Sequence, residues 1–401
     1  MDFRFSPEDE AIRREAIEFT KREWDPKGFD VPVVFGIDWH HMNEEYEALI
    51  NVFQKKLVQR GWWTMHWPTE FGGKNVPITT QLAYREAMSY AGAPAAFGGG
   101  LVGPVLMVHG KDWQKEEFLP KIANAEIEFS QGFSEPDAGS DLASLETRAV
   151  RDGDDYILNG TKIWGTYRNN WMHLMVRTDP DAPKHRGITY LLSPLREENG
   201  DYLPGVTVRE IKDALGRHRW DEMFLEDVRI PARSIIGEEN RGWYAAMTTL
   251  SFERSYIQVP ASMLRVVEEF IEYSKHLHRT HGSGPLDDPI TRHQLANWRL
   301  ELEADRMLAY RVAWMQSQGI VPGREGSMTK IWGANLIQGI YRFISRTLEE
   351  YGNLLPGNEI RLPSQGFINN RAFTSGTVSV EAGTNEIQKN IIAQRGMGLP
   401  R

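Results

Sequence analysis

Apolar positions recur at two rhythms along the 401 residues, and the two changes of rhythm divide the chain into three stretches. Over the first ~125 residues the spacing is helical. Ser6-Pro7-Glu8-Asp9 offers a capping hydroxyl, a proline for the first turn and acids near the positive end of the dipole. Ile12, Ala16, Phe19 and Trp24 follow at helical intervals. Trp67-Pro68 and Phe71-Gly72-Gly73 mark a loop. Further helices are predicted over Thr79–Tyr90 and over Asp112–Ile122, the latter interrupted by Pro120. Near Ile127 the rhythm shortens. Asp152-Gly153 and Asn159-Gly160 read as turn dipeptides between β-prone segments. Met172–Arg177, Ile188–Leu192, Val206–Glu210 and Met223–Val228 continue a run of strands, a small antiparallel sandwich or barrel over about 127–235. Pro231 and Gly237 punctuate its end. From Gly242 the helical pattern returns through Ala246, Met247, Leu250, Ile257, Met263, Leu264, Val267 and Ile271, with Pro260 predicting a kink or break. A loop over His281–Pro289 leads to helices over Thr291–Gln318, Arg324–Tyr351 and Thr384–Arg395, with Gly396 as a stop. No internal repeat or low-complexity tract stands out.

Bulk properties narrow the class without naming it. This length suits two or three domains with a sizeable core. The composition is 41% apolar and 25% charged with a formal charge of −9, which gives no electrostatic footprint for nucleic acid. No apolar run approaches the ~18 residues of a membrane span. The first residues carry neither a basic nor an apolar leader region, so the expected location is the cytoplasm. The absence of cysteine excludes disulfides, thiolate metal sites and a cysteine nucleophile. His276, His278 and His281 lie close together and His40 adjoins His41, but neither group has a further ligand at a recognised spacing, so they read as solvated histidines.

Two segments carry the chemical signal. Gln131–Leu145 reads QGFSEPDAGSDLASL and Glu381–Gln388 reads EAGTNEIQ. Together they resemble the flavin-binding and active-site motifs of the acyl-CoA dehydrogenase family. WPTEFGG, HGKDWQKEEFLP, NGTKIW, FLEDVRIP, GEENRGW, FER and GTNEIQKNIIAQR extend the likeness, in order, across nearly the whole chain. The resemblance implies an α+β fold with an N-terminal helical domain (1–126), a middle antiparallel β-domain (127–236) and a C-terminal four-helix domain (237–401), enclosing FAD and an acyl-CoA thioester.

The same resemblance implies site residues. Gln131, Phe133, Ser134, Gly139 and Ser140 would line the flavin and its pyrophosphate, in a turn-rich loop whose N–H groups can face an anion. Ser140 would also face the thioester arm. Trp164 would pack on the dimethylbenzene edge, and Thr166 would donate to the flavin ring. Thr384, Asn385 and Glu386 would touch the flavin and its phosphates, Thr384 also capping a helix. Ala382 would offer its backbone N–H, beside Gly383, to the thioester oxygen, and Phe252 and Arg254 would stand near the substrate.

Dehydrogenation of a thioester needs a base for the α-proton and an acceptor for the β-hydride, and no side chain accepts hydride. No GxGxxG opens a βαβ unit, so the acceptor is not held in a Rossmann site. Many relatives place the base just before the glycine of the second motif, where this chain has Ala382. Others place it before the Arg of the helix, where this chain has Glu253. Glu253 is the first candidate base; Glu381 and no internal base are the others. An electron-transfer flavoprotein is the implied acceptor of electrons, and a homodimer or homotetramer the implied assembly. Segments corresponding to the relatives' adenine-binding motifs, HLHRTHGSG and EEYGNLL, do not match. A catalytically silent FAD- and CoA-binding subunit of a heteromeric dehydrogenase, and a flavin monooxygenase on the same fold, are the other readings. The acyl group is not legible.

Overall fold

The computed structural model describes residues 4–25, 44–167, 169–249, 255–277, 284–354 and 368–400. Helices come first: α1 (Pro7–Glu23), α2 (Glu44–Gln59), α3 (Ile78–Tyr90), α4 (Val102–His109) and α5 (Asp112–Ala123). Ser6 caps α1 by accepting from the Asp9 N–H at 3.0 Å, as its sequence predicts. Aromatic side chains fill this domain, with Phe19, Phe53, Trp62 and Tyr84 buried against one another. Pro120 does not interrupt α5, which runs through it. The missing N–H deprives only the Glu116 carbonyl, and Glu116 is exposed, so water can serve that oxygen.

The middle region forms a seven-stranded sheet: β1 (Phe129–Gly132), β2 (Arg148–Asp152), β3 (Asp155–Gly165), β4 (Trp171–Arg177), β5 (Ile188–Pro194), β6 (Val206–Lys212) and β7 (His218–Pro231). The path is β1-β4-β2-β3-β7-β6, with β5 on β4. Most pairings are antiparallel, but β1 and β2 each meet β4 in parallel, so the expected all-antiparallel arrangement is corrected on that side. The Asp152-Gly153 hairpin forms, with Asp152 opposite Asp155. Asn159-Gly160 is not a turn. It lies inside β3 at a bulge, where Asn159 and Asp227 exchange hydrogen bonds at 2.9 and 3.0 Å. A Cβ on Gly160 would stand 2.6 Å from the Thr147 hydroxyl, so glycine is required by crowding rather than by chain reversal.

Helices return as α6 (Gly242–Thr249), α7 (Gln258–Ser274), α8 (Pro289–Ser317), α9 (Arg324–Thr347), α10 (Ile368–Thr374) and α11 (Asn385–Ile391). Pro260 sits in the first turn of α7, where its missing N–H costs nothing, so the break it predicts falls just before it. Asp288 caps α8 by accepting from the N–H groups of Ile290 and Thr291. Helix α9 stops earlier than predicted, at Thr347, and a 3-10 turn carries the chain to Asn353. Beyond Ile391 a short π-helical turn runs to Gly396. Val259, Met263, Phe270, Leu302, Leu336 and Ile340 make the core of this bundle. A separate core joins α4 and α5 to the sheet through Phe118, Phe133, Met175 and Tyr190.

Candidate active site

The first motif begins on a strand. Gln131 lies on β1 opposite His173 of β4 and is partly buried. Phe133 turns inward, its ring 5.1 Å from His173 and 5.7 Å from Tyr190, so what it can offer a cofactor is backbone. Ser134 accepts the Ile163 N–H at 2.9 Å, and Glu135 and Ala138 close a tight turn by exchanging backbone bonds at 3.1 Å. Gly139 and Ser140 stand exposed on the far side of that turn, and a Cβ on Gly139 would meet nothing within 4 Å. Open space beside exposed backbone is what a bulky cofactor needs.

A buried ion pair holds this loop. The Glu135 carboxylate accepts the N–H groups of Glu146 at 2.6 Å and Thr147 at 2.9 Å, and the Lys162 ammonium from β3 at 2.8 Å. Lys162 spends its other two protons on the carbonyls of Phe133 at 3.2 Å and Met175 at 2.6 Å, which satisfies all three donors. Burial alone would push the Glu135 carboxyl up. Lys162 and the Glu146 N–H outweigh that and hold it below the ordinary carboxylate range. Downstream, the Arg177 guanidinium donates to the carbonyls of Ala143, Leu145 and Lys184, fixing the chain that leaves Ser140.

Trp164 is the extra residue of a second bulge in β3, between Ile163 and Gly165. Its backbone is left-handed, with φ of 67°, and its side chain is 55% exposed. A large apolar residue in that conformation is strained, and bulges of this kind re-aim side chains beside functional sites. Thr166 follows, half-buried, and the next N–H, of Tyr167, donates to the Asp221 carboxylate at 3.0 Å. The Trp164 ring meets Trp220 of β7 edge-on at 5.6 Å.

The second motif sits on a turn between a 3-10 segment, Ser375–Ser379, and α11. Ala382 and Gly383 are exposed and left-handed, with φ of 53° and 86°. Thr384 caps α11 by accepting the Ile387 N–H at 3.1 Å. Asn385 is buried and accepts from the Lys330 ammonium at 3.0 Å, while Glu386 is exposed. Burial lowers Lys330 to a pKa of about 8. The Glu381 carboxylate points toward β7, 3.8 Å from the buried Arg219 guanidinium. Burial raises its pKa against the opposing pull of Arg219.

The Trp164 bulge, which the Ile163 N–H ties to Ser134 of the first motif, therefore meets the second motif through a chain of side chains. Trp164 touches Trp220, the Arg219 guanidinium lies 4.4 Å over the Trp220 ring, and Arg219 reaches Glu381 beside Ala382. Arg219, Trp220, Lys162 and Glu135 were not foreseen as site residues. A lone Arg or Lys within a strand gives no signal until its partner across the fold is known. Phe252, Glu253 and Arg254 lie outside the described residues, as do His278, His281, His40 and His41.

A helical domain, a seven-stranded sheet and a second helical domain, in that order, define a fold used by flavoprotein oxidoreductases. The chain belongs to the acyl-CoA dehydrogenase family: models of that family's N-terminal, middle and C-terminal domains match residues 6–126, 130–228 and 240–397. It is 31% identical over 417 residues to acyl-CoA dehydrogenase FadE26 of Mycobacterium tuberculosis (strain ATCC 25618 / H37Rv), covering 100% of this chain and 99% of that one. Among solved structures, the Tcur3481-Tcur3483 steroid ACAD aligns with a TM-score of 0.86 at 28% identity, over 100% of both chains. The ChsE4-ChsE5 complex from Mycobacterium tuberculosis aligns with a TM-score of 0.81 at 29% identity, also over 100% of both. The family is one of oxidoreductases that typically bind FAD, and FadE26 is named for action on acyl-CoA. Among the described residues, no helix is long and apolar enough to cross a membrane.

Proposed function

We propose that this chain binds FAD between the Ser134–Ser140 loop, Trp164, Thr166 and the Thr384–Glu386 turn, and that it dehydrogenates an acyl-CoA at its α,β bond. The observation that carries the reading is the link from Trp164 through Trp220 and Arg219 to Glu381, which connects the β3 bulge beside the first motif to the second motif, more than two hundred residues further along the chain. Gly139 and Ser140 leave open backbone for an anionic group, and the exposed Trp164 indole leaves an aromatic wall for a planar ring. FAD held there supplies the acceptor for the β-hydride.

The residues of the chain supply the rest. Glu253 takes the α-proton, while Phe252 and Arg254 flank it. The Ala382 N–H, with Gly383 beside it, meets the thioester oxygen, strengthening as negative charge grows on that oxygen. Glu381 is the weaker candidate base, because its carboxylate is directed at Arg219 of the sheet. Electrons then leave to an electron-transfer flavoprotein.

Anaerobic spectra across a panel of acyl-CoA thioesters test this. Wild type is expected to bleach with at least one thioester, and Glu253→Gln to lose that bleaching by about a thousandfold or more. Retained bleaching in Glu253→Gln with loss in Glu381→Gln would transfer the role of base to Glu381. A loaded wild type that no thioester reduces would end the proposal, and bleaching without added reductant excludes a monooxygenase.

The ChsE4-ChsE5 assembly is a complex of two proteins, which favours a second reading: one subunit of a two-protein dehydrogenase. FAD content and assembly mass of the chain expressed alone decide it. A full complement of FAD and unaided bleaching would exclude dependence on a second protein.

A further inference from the structure

We infer that Arg219 and Glu381 are an inter-domain positioning pair, which fixes the turn carrying Ala382 so that its N–H meets the thioester oxygen. This rests on the role proposed for that N–H. Arg219 leaves β7, is 1% exposed, and grips the turn through two side chains. Its Nη2 donates to the Thr377 hydroxyl at 3.1 Å and lies 3.8 Å from a Glu381 oxygen. Thr377 is also the residue whose carbonyl receives the N–H groups of Val380 at 2.8 Å and Glu381 at 3.0 Å. One guanidinium thus holds the residue that anchors the turn and the residue that enters it.

The carboxylate has few alternatives. Both Glu381 oxygens are shut off from solvent, so nearby cations and the Thr377 hydroxyl must offset their lost hydration. Arg219 is the nearest cation, and Lys330 adds a weaker attraction from α9. On the other side of the turn, the Gln388 amide donates to the carbonyls of Ala382 at 3.3 Å and Gly383 at 3.5 Å. Ala382 itself is left-handed, a conformation that an alanine keeps only where its surroundings over-determine it. Gln388 fixes the carbonyl side and the Arg219–Glu381 pair fixes the entry, so the direction of the N–H between them is set by both. The arginine belongs to the sheet and the turn to the helical domain, which couples the acceptor wall to the polarising group.

The test compares Arg219→Met, Arg219→Lys, Glu381→Gln and the double variant Arg219→Met/Glu381→Gln with wild type. Its probe is a β-thia analogue of whichever acyl-CoA bleaches the wild type, bound to FAD-loaded protein. The pH midpoint of the charge-transfer band that appears as the bound analogue loses its α-proton reports how strongly the carbonyl is polarised. We expect that midpoint to rise by about one pH unit in Arg219→Met and in Glu381→Gln. With the true substrate, kcat should fall about tenfold or more while KM moves less than about threefold, the signature of an interaction strongest in the transition state. The double variant should be no worse than either single one, because both remove the same coupling. Arg219→Lys should recover part of the loss. In FAD-free protein, amide exchange over 377–384 should quicken in the two disruptive variants. If Arg219→Met fails to load FAD, Arg219→Lys and Glu381→Gln carry the comparison. Loaded variants with wild-type midpoint, kcat and exchange would overturn the inference, even if their thermal stability fell. A wild type that bleaches with a thioester but shows no such variant effects sinks this pair alone. One that bleaches with none removes the proposed function and the pair with it.

Discussion

The Lys162 ammonium lies 2.8 Å from a Glu135 oxygen, at a point where Lys162 has no exposed surface at all. That contact joins β3 to the loop that presents Gly139 and Ser140, so the loop's shape depends on a charge pair hidden from water. Removing one partner leaves the other charge buried without compensation. Lys162→Met should therefore cost about 3–5 kcal/mol and strip the protein of FAD, read by thermal melting and by absorbance at the flavin band. Glu135→Gln should also destabilise, since its single amide oxygen can replace only one of the two carboxylate oxygens that accept the Glu146 and Thr147 N–H groups, and it leaves the Lys162 ammonium without a counter-charge.

The same pair sets an acid limit. Glu135 has its pKa depressed in the folded state, so its contribution is complete above the unfolded value, 4.5, and is lost as pH falls through the folded one. Flavin release on acidification should begin below about pH 4.5 in wild type. That acid-dependent step should be missing from Glu135→Gln.

Trp220 supports Trp164 at 5.6 Å, and such an edge contact is worth about 0.5–1.5 kcal/mol. Trp220→Ala should weaken FAD binding by about threefold to tenfold and shift the visible flavin spectrum. Titration of the FAD-free protein measures the first, and an unaltered affinity and spectrum would show that Trp164 needs no brace.

Gly165 follows the strained bulge, and a Cβ there would stand 2.4 Å from the Tyr167 ring and 2.7 Å from the Gln131 carbonyl. Gly165→Ala should cost about 1–3 kcal/mol and displace Trp164 and Thr166 together. Lower melting temperature accompanied by poorer FAD retention is the expected pair of results; a loss of only one would separate the strand from the site.

Asp305, in the middle of α8, is 1% exposed, and neither carboxylate oxygen accepts a hydrogen bond among the described residues. Burial pushes its pKa up to about 8. The folded form therefore keeps a proton that the unfolded chain releases near 3.8. Stability should fall as pH rises between those values and level off above them, by on the order of a few kcal/mol. Asp305→Asn should lack this slope, so its melting temperature should gain on wild type between pH 5 and pH 8. Parallel profiles would show that Asp305 titrates alike in both states.

Much of the fold is legible in the chain because it rests on local chemistry. Ser6 and Asp288 precede prolines and cap helices, and Gly153 turns a hairpin, all from signals within a few residues. Asn159-Gly160 shows where local reading stops. The dipeptide is a turn signal, yet its glycine answers to Thr147 on a neighbouring segment and its asparagine to Asp227, 68 residues on. Likewise β1 is recognisable only once β4 lies beside it, since four residues carry no rhythm of their own. The candidate site divides the same way. Trp164, Ser140 and Ala382 stand in motifs that can be read, whereas Arg219 answers to Glu381, 162 residues away, and nothing near it in sequence announces the partnership.

One practical outcome concerns dissection of the molecule. An excised sheet ending near residue 236 would keep the Arg219 guanidinium but lose the carboxylate facing it and the Thr377 hydroxyl it donates to. Such a fragment would lose both of these contacts and uncover the guanidinium side of β7 to water, and it should be less stable than the whole chain. The three segments are thus better regarded as one cooperative unit than as modules to be exchanged between relatives.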